Sequence, residues 1–259
     1  MIFNPIKSDY SEYIWVKRIF LALFLVNFAV WFLMTKNIRP DLTITPNPPS
    51  KNLLKILSLG DDMLVYRYFT YQVQMAGDDY GTTTPLNKYN YAKLHKWFYL
   101  LNEFDSISEY APSIAGFYYS NSQSDMDNVY IVDYLVHFSS KDPNKYWRWL
   151  ATAVYLSNAK LHDMKRVQEI SDILVGLDKE KVPLWARTIG IFILSKNDIC
   201  KSINLILSLD PKELDAIAQD KILGNSVKDQ ENVFVKIIVN RINEIQNNPI
   251  AAKKCMSNK

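Results

Sequence analysis

The run IFLALFLVNFAVWFLMT, bounded by Arg18 and Lys36, carries one clearly polar residue in its interior, Asn27. At about 1.5 Å per residue it forms a helix of roughly 26 Å, the low end of what crosses a hydrocarbon core of about 30 Å. Arg18 and Lys36 can extend their charged heads outward to close the difference. Trp15 and Trp31 lie near opposite ends, where indole rings prefer the membrane interface. A core helix of a soluble protein keeps a polar face, and this run has none. A cleaved signal would pair a shorter apolar region with small residues, whereas Met34, Thr35, Lys36 and Asn37 follow here. Residues 17–36 are therefore read as an uncleaved transmembrane helix in contact with lipid, behind a tail of residues 1–16. Asn27 is either a polar residue tolerated in the span or a hydrogen-bonding contact to another membrane helix.

Charge does not orient the span by itself: Lys7, Lys17 and Arg18 precede it, and Lys36, Arg39, Lys51 and Lys55 follow. Long domains translocate largely regardless of charge, and a short basic N-terminus before a first span commonly stays in the cytoplasm. The expectation is a single-pass protein of the inner (cytoplasmic) membrane with its C-terminal domain in the periplasm.

Pro40, Pro46, Pro48 and Pro49 crowd the segment after the span. Such density holds a chain extended, so residues 37–49 read as a semi-rigid spacer. Residues 50–248 then form one domain, followed by a basic tail at 249–259. A chain that is 48% hydrophobic and 13% aromatic has the material for a core of that size. Residues 1–36 carry two more cations than anions, leaving +1 of the net +3 for everything after them. That balance supplies no concentrated basic face, so nucleic acid is not an expected partner. Cys200 and Cys255 allow one bridge at most and no four-ligand zinc site, and both are expected to be free thiols.

The domain reads as helix after helix. Ser50 can cap KNLLKILSL, which Gly60 ends as a C′ residue, and Asp61 can cap DMLVYRYFTYQVQMA, which stops at Gly77. This second helix is apolar nearly all round and is expected at the centre of the core. Further helices are predicted near residues 89–104, 108–121, 127–141, 144–161, 163–177, 184–196, 198–209, 211–223 and 231–247. No stretch alternates as strands do, so the fold class is all-α.

Three of these segments are related. Asp127, Asp163 and Asp198 stand at predicted helix starts, 36 and 35 residues apart. Tyr134, Ile170 and Leu205 follow seven positions later and Phe138, Leu174 and Leu209 eleven later, and Pro143, Pro183 and Pro211 close the units. A period of about 34 residues built from two helices makes stacked hairpins that bury a shared core. Over roughly residues 90–211 the chain resembles the tetratricopeptide repeat class, which implies an α-solenoid with a groove for protein partners. It departs from that class four residues after each aspartate, where small residues belong and Ile131, Val167 and Ser202 stand. With LSLGDDMLVYRYFTYQVQMAGDDYG, KWFYLLNEFDSISEYAPSIAGFYY and YWRWLATAVYLSNAKLHD behind a span and a spacer, the chain also looks like membrane-anchored, tetratricopeptide-like bacterial proteins. That resemblance implies the architecture and no catalytic residues.

GDDYGTTTP, from Gly77 to Pro85, could suggest a phosphate or metal loop, but no Lys follows the glycines and calcium-loop spacing is absent. If residues 61–76 are one helix, its two acidic ends lie about 24 Å apart and cannot share an ion. His95, His137 and His162 are scattered, no G-x-S-x-G elbow exists, and Glu103 and Asp105 diverge on a helix end. No enzyme, metal, cofactor or small-molecule substrate is expected; the alternative is a helical envelope hydrolase whose carboxylates converge from distant segments.

Binding fits the pattern better. In NKYWRWLATAVYLSNAK, Tyr146, Trp149, Leu150 and Ala153 form one apolar stripe and Trp147, Ala151 and Val154 another. Arg148, Thr152 and Tyr155 remain as a third stripe, able to hold a partner's carboxylate or backbone, with Arg187 as its extension in the next unit. An Arg and a Tyr simply reaching solvent is the alternative. The expected role is a membrane-anchored scaffold or adaptor that binds subunits of a membrane or envelope complex.

Overall fold

The computed structural model describes residues 10–35, 43–79, 81–197, 199–209 and 240. Within them the protein is all-α apart from one small hairpin, and the chain divides into two units, one ending at Thr43 and one beginning at Ile44. The predicted helices at 211–223 and 231–247, together with Asp198, Pro211, Cys255 and the tail, lie outside the described residues.

Helix α1 (Tyr10–Thr35) constitutes the first unit and begins seven residues before the predicted span. Its stretch Ile14–Leu33 is long and apolar enough to cross a membrane, and none of it is buried. The core-helix alternative requires buried side chains, and among the described side chains of α1, Ile14–Leu33, none is buried.

The second unit starts earlier than the expected boundary at residue 50. Thr45 is 2% exposed, and the indole Nε1 of Trp97 donates to the carbonyl of Pro46 at 2.9 Å. The second half of the proline spacer is thus packed as a strap on the domain. A buried indole N–H needs an acceptor, and an extended proline segment has carbonyls that no ladder consumes.

Helices α2 (Lys51–Leu57) and α3 (Asp62–Gln74) follow, capped as read from sequence by Ser50, which accepts from Leu53 N at 3.3 Å, and by Asp61, which accepts from Leu64 N at 2.9 Å. Contrary to expectation, α3 is not central. Val65, Tyr66, Thr70 and Val73 face inward, while Leu64, Tyr68 and Tyr71 are more than half exposed. Among the described elements the helix packs chiefly on α4 and touches α2, with one face left outward. A two-residue antiparallel ladder, β1 (Asp78–Asp79) with β2 (Thr82–Thr83), then turns the chain toward α4 (Tyr91–Phe104).

From there each helix packs on the next: α5 (Tyr110–Ser113) leading into a π-turn at Ile114–Tyr118, then α6 (Asp125–Ser139), α7 (Trp147–Ala159), α8 (Met164–Val175), α9 (Leu184–Asn197) and α10 (Ile199–Leu207). Helices two apart also touch: α4 with α6, α7 with α9 and α8 with α10. The repeating positions four, seven and eleven residues after each aspartate are buried, from Ile131, Val167 and Ser202 through Tyr134, Ile170 and Leu205 to Phe138, Leu174 and Leu209. The start of α6 falls earlier than Asp127: Ser124 is the cap, accepting from Asp127 N at 3.4 Å, and the Asp127 carboxylate accepts from Ser122 Oγ at 2.8 Å. Asp163 caps α8 as expected, accepting from the amides of Lys165 and Arg166.

Tyrosines fasten the first layers. Tyr119 donates to the Val73 carbonyl at 2.6 Å, Tyr91 to the Tyr119 carbonyl at 2.8 Å, and Tyr89 to the Ala76 carbonyl. Burial pushes Tyr89 up to about 12 and Tyr91 and Tyr119 further still, so all three stay neutral donors. Cys200, expected to be a free thiol, is disulfide-bonded; spacing along the chain could not tell which residues the fold brings within bonding reach of it.

The small residues that let helices approach closely lie only in part where the repeat pattern places them: Ser202 stands at a repeat position, Gly190 and Ser171 do not. A Cβ on Gly190 of α9 would overlap the side chain of Ser171 on α8, and Ser202 of α10 donates to the Ile191 carbonyl of α9 at 3.3 Å. Gly190→Ala should therefore cost about 1–3 kcal/mol through overpacking, read by urea denaturation in mild detergent. Gly176→Ala, where a Cβ would meet nothing closer than 3.6 Å, should leave the transition unchanged or raise it.

Candidate functional site

The stripe Arg148, Thr152 and Tyr155 opens onto a cleft of about 500 Å³. Three successive layers build it: the π-turn after α5, the exposed face of α7 and the start of α9. The two other stripes of α7 behave as their spacing demands. Tyr146, Trp149, Leu150 and Ala153 are buried on one side and Ala151 and Val154 on another, which leaves the third stripe outward.

The cleft is aromatic. Trp147 and Trp185 meet edge to face, with centroids 5.4 Å apart, and tie α7 to α9. Phe117 and Tyr155 project as walls, 67% and 57% exposed. The Arg148 guanidinium lies 5.4 Å from the centre of the Trp147 ring, a cation–π arrangement that fixes a long side chain otherwise free to sweep solvent. Arg148 has no acidic partner among the described residues. Thr152 spends its hydroxyl proton on the Arg148 carbonyl at 2.9 Å. Asn121 donates to the carbonyls of Phe117 and Tyr118, holding the turn that presents Phe117.

Gly116 makes this closeness possible. A Cβ there would meet the Trp149 ring at 3.3 Å and Thr152 at 3.6 Å, so the ring would have to give by a few tenths of an ångström even for alanine. The five-residue π-turn inserts an extra residue into the helical register and rotates Phe117 out toward the cleft.

Arg187 does not extend the stripe. It is 4% exposed, and its Nε donates to the Val182 carbonyl at 3.3 Å. The residues of α9 that line the cleft are Trp185 and Ile189. Arg187 lies two positions from each, which is about 200° around a helix, and so points the other way. Phe117, Asn121 and Trp185 were not read from sequence as cleft residues. A π-turn has no sequence signature, and Trp185 looks like any apolar residue at a helix start.

A second cleft of about 300 Å³ runs between the strap and α3, lined by Ile44, Pro46, Phe69 and Trp97 among others, and a third of about 370 Å³ includes Asp78 and Tyr110. None of the three clefts is lined by two carboxylates. Asp61 serves as a helix cap, and among the described residues no group of three or more His, Cys, Asp or Glu could hold a metal ion.

The one assembly of histidines is at the α4–α6 contact, where Tyr99 packs against His137, with ring centroids 4.3 Å apart, and against His95 at 4.4 Å. Arg166 of α8 holds nearby Asp133 at 3.0 Å. Burial is the main cause that lowers both imidazoles; Asp133 opposes it and His137 adds to it at His95, while Lys141 adds to it at His137.

Neither family models, curated proteins nor solved structures give a match to this chain. The class of protein is therefore set by its architecture: an all-helical stack of sequentially packed helices carrying one apolar helix near the N-terminus.

Because both histidines bind protons more weakly in the folded chain than in the unfolded one, stability is full above about pH 6.5 and declines as pH falls below it. The urea midpoint should drop between about pH 7.5 and about pH 5.5, and the drop should shrink in His95→Gln.

Proposed function

We propose that the protein is a membrane-anchored adaptor, with α1 as an uncleaved span and the helical stack as a tetratricopeptide-like solenoid that binds a protein partner through the α7 cleft. The observation that carries this reading is the guanidinium of Arg148 fixed over an indole at the mouth of an aromatic cleft. Arg, Trp and Tyr are the residues most enriched where binding energy concentrates: Trp and Tyr bury large area with few rotatable bonds, and Arg brings a planar, permanently charged donor fork. A peptide segment that places an apolar or aromatic side chain between Phe117 and Tyr155, and a carboxylate against Arg148, matches this surface in shape and charge.

Anchoring supplies the rest of the mechanism. A domain confined to a membrane meets membrane-bound partners at a raised effective concentration, so a modest cleft affinity suffices for lasting association. The partners in this reading are subunits of a membrane or envelope complex, and the domain faces an oxidising periplasm. The disulfide at Cys200 supports that side of the membrane, since structural disulfides persist outside the reducing cytosol.

Crosslinked detergent pull-downs from native membranes should recover partners with the wild-type chain and lose them with Arg148→Glu or Tyr155→Ala. Loss of one such contact costs about 2 kcal/mol or more, roughly thirty-fold in affinity. Lys165→Glu, on exposed surface away from the cleft, should change nothing. Unchanged partners in the first two variants would remove the cleft from the binding surface. For the side of the membrane, a maleimide should label Cys200 only after a reductant is added. Labelling without reductant would place the domain in a reducing compartment.

A further inference from the structure

The α2–α3 corner is built against the ordinary rule of burial. Helix α2 packs inward through Leu54 and turns Leu53, Ile56 and Leu57 outward at helical spacing, each about half exposed or more. Beyond it Leu59 is 95% exposed and has φ +54°, the left-handed region that favours glycine. Met63 and Leu64, in the first turn of α3, add two further exposed apolar side chains. A leucine that is strained at the backbone and wholly in water gains nothing from either state. The exposure is accounted for if the corner meets an apolar medium.

We propose that this corner inserts into the headgroup–acyl boundary of the bilayer and seats the domain on the membrane surface; the proposal rests on α1 being a span. Chain length brings the corner to the lipid. Nine residue steps separate Thr35 from Ile44, a tether whose fully extended reach is at most about 32 Å. The packed strap then leads straight to Ser50 and α2, the first elements after the tether.

Composition favours lipid over a protein partner or a second copy. Aliphatic side chains occupy the tip, Lys55 and Arg67 are exposed beside them, and Tyr68 and Tyr71 continue along the outer face of α3. Cations and tyrosines flanking an aliphatic tip are what an interfacial segment uses, with the charged and phenolic groups at headgroup level. Lys51 is paired with Glu103 at 2.9 Å. The acidic residues of the corner are Asp61 and Asp62, where the N-terminus of α3 offsets their charge and Asp61 accepts from Leu64 N.

The test uses the full chain reconstituted in vesicles of phosphatidylethanolamine and phosphatidylglycerol, with a benzophenone side chain in place of Leu59 or, in a separate protein, of Ile173 on α8. After irradiation, alkaline carbonate extraction of the same sample reports whether the chain is anchored. The expected result is a carbonate-resistant chain that forms lipid adducts from position 59 and none from position 173, with the position-59 adducts lost on adding Ile56→Glu and Leu57→Glu. A carbonate-resistant chain that forms no lipid adduct at position 59, or crosslinks there to a second copy, overturns the proposal and leaves the anchor standing. Release of the chain by carbonate overturns the anchor and the proposal with it. The comparison of positions 59 and 173 is made in an otherwise unaltered chain, so it holds even if the double variant misfolds.

Discussion

A long apolar helix with no buried residue is costly to leave in water. Ile14–Leu33 is such a helix. Burial of a leucine or phenylalanine side chain is worth about 1.5–3 kcal/mol, so a run of this length left in water would outweigh the whole stability of a typical domain. The rest of the reading follows from that mismatch. If lipid receives α1, the domain works beside a bilayer, its partners are those a bilayer brings to it, and its outward surfaces are to be read against a membrane as well as against water.

Inside the domain a different constraint governs. Stacked helices must approach closely while most buried polar groups find partners, Thr70 Oγ1, Asn102 Nδ2 and Ser157 Oγ being among the exceptions. Small residues solve the first problem at Gly190 with Ser171 and at Gly116 against Trp149. Phenol hydroxyls solve the second: Tyr66 donates to the Ser108 carbonyl and accepts from Ala111 N, and Tyr119 and Tyr91 close carbonyls left by neighbouring helices. The cleft is a by-product of the same packing. Where the π-turn lies against α7, the groove between them is floored by indoles and edged by Arg148.

Much of this was legible in the chain because helices advertise themselves by a period of 3.6 and by their caps. Ser50, Asp61 and Asp163 cap as their position before apolar runs implies. The spacing of Phe138, Leu174 and Leu209 marks core positions because one face of each helix is buried against its neighbours. The stripe Arg148, Thr152 and Tyr155 could be found because two other faces of α7 are occupied by core residues. What stayed hidden depends on tertiary context. Apolar residues all round α3 do not say whether the helix is central or at an edge, and Arg187 was misplaced because the rotation of α9 relative to α7 is set by packing. The strap reads from sequence as a semi-rigid spacer because the acceptor that Trp97 needs lies 51 positions back along the chain.

The two surfaces divide the work between them in this account. The α2–α3 corner is aliphatic, adjacent to the tether and suited to lipid, while the α7 cleft is aromatic, cationic and suited to a peptide. Both depend on α1 remaining part of the working protein. The most direct measurement is the intact mass of the chain isolated from native membranes with detergent. The account predicts a mass that still includes residues Tyr10–Thr35, recovered in the membrane fraction. A shorter chain that begins beyond Thr35 and is recovered in the soluble fraction would contradict it.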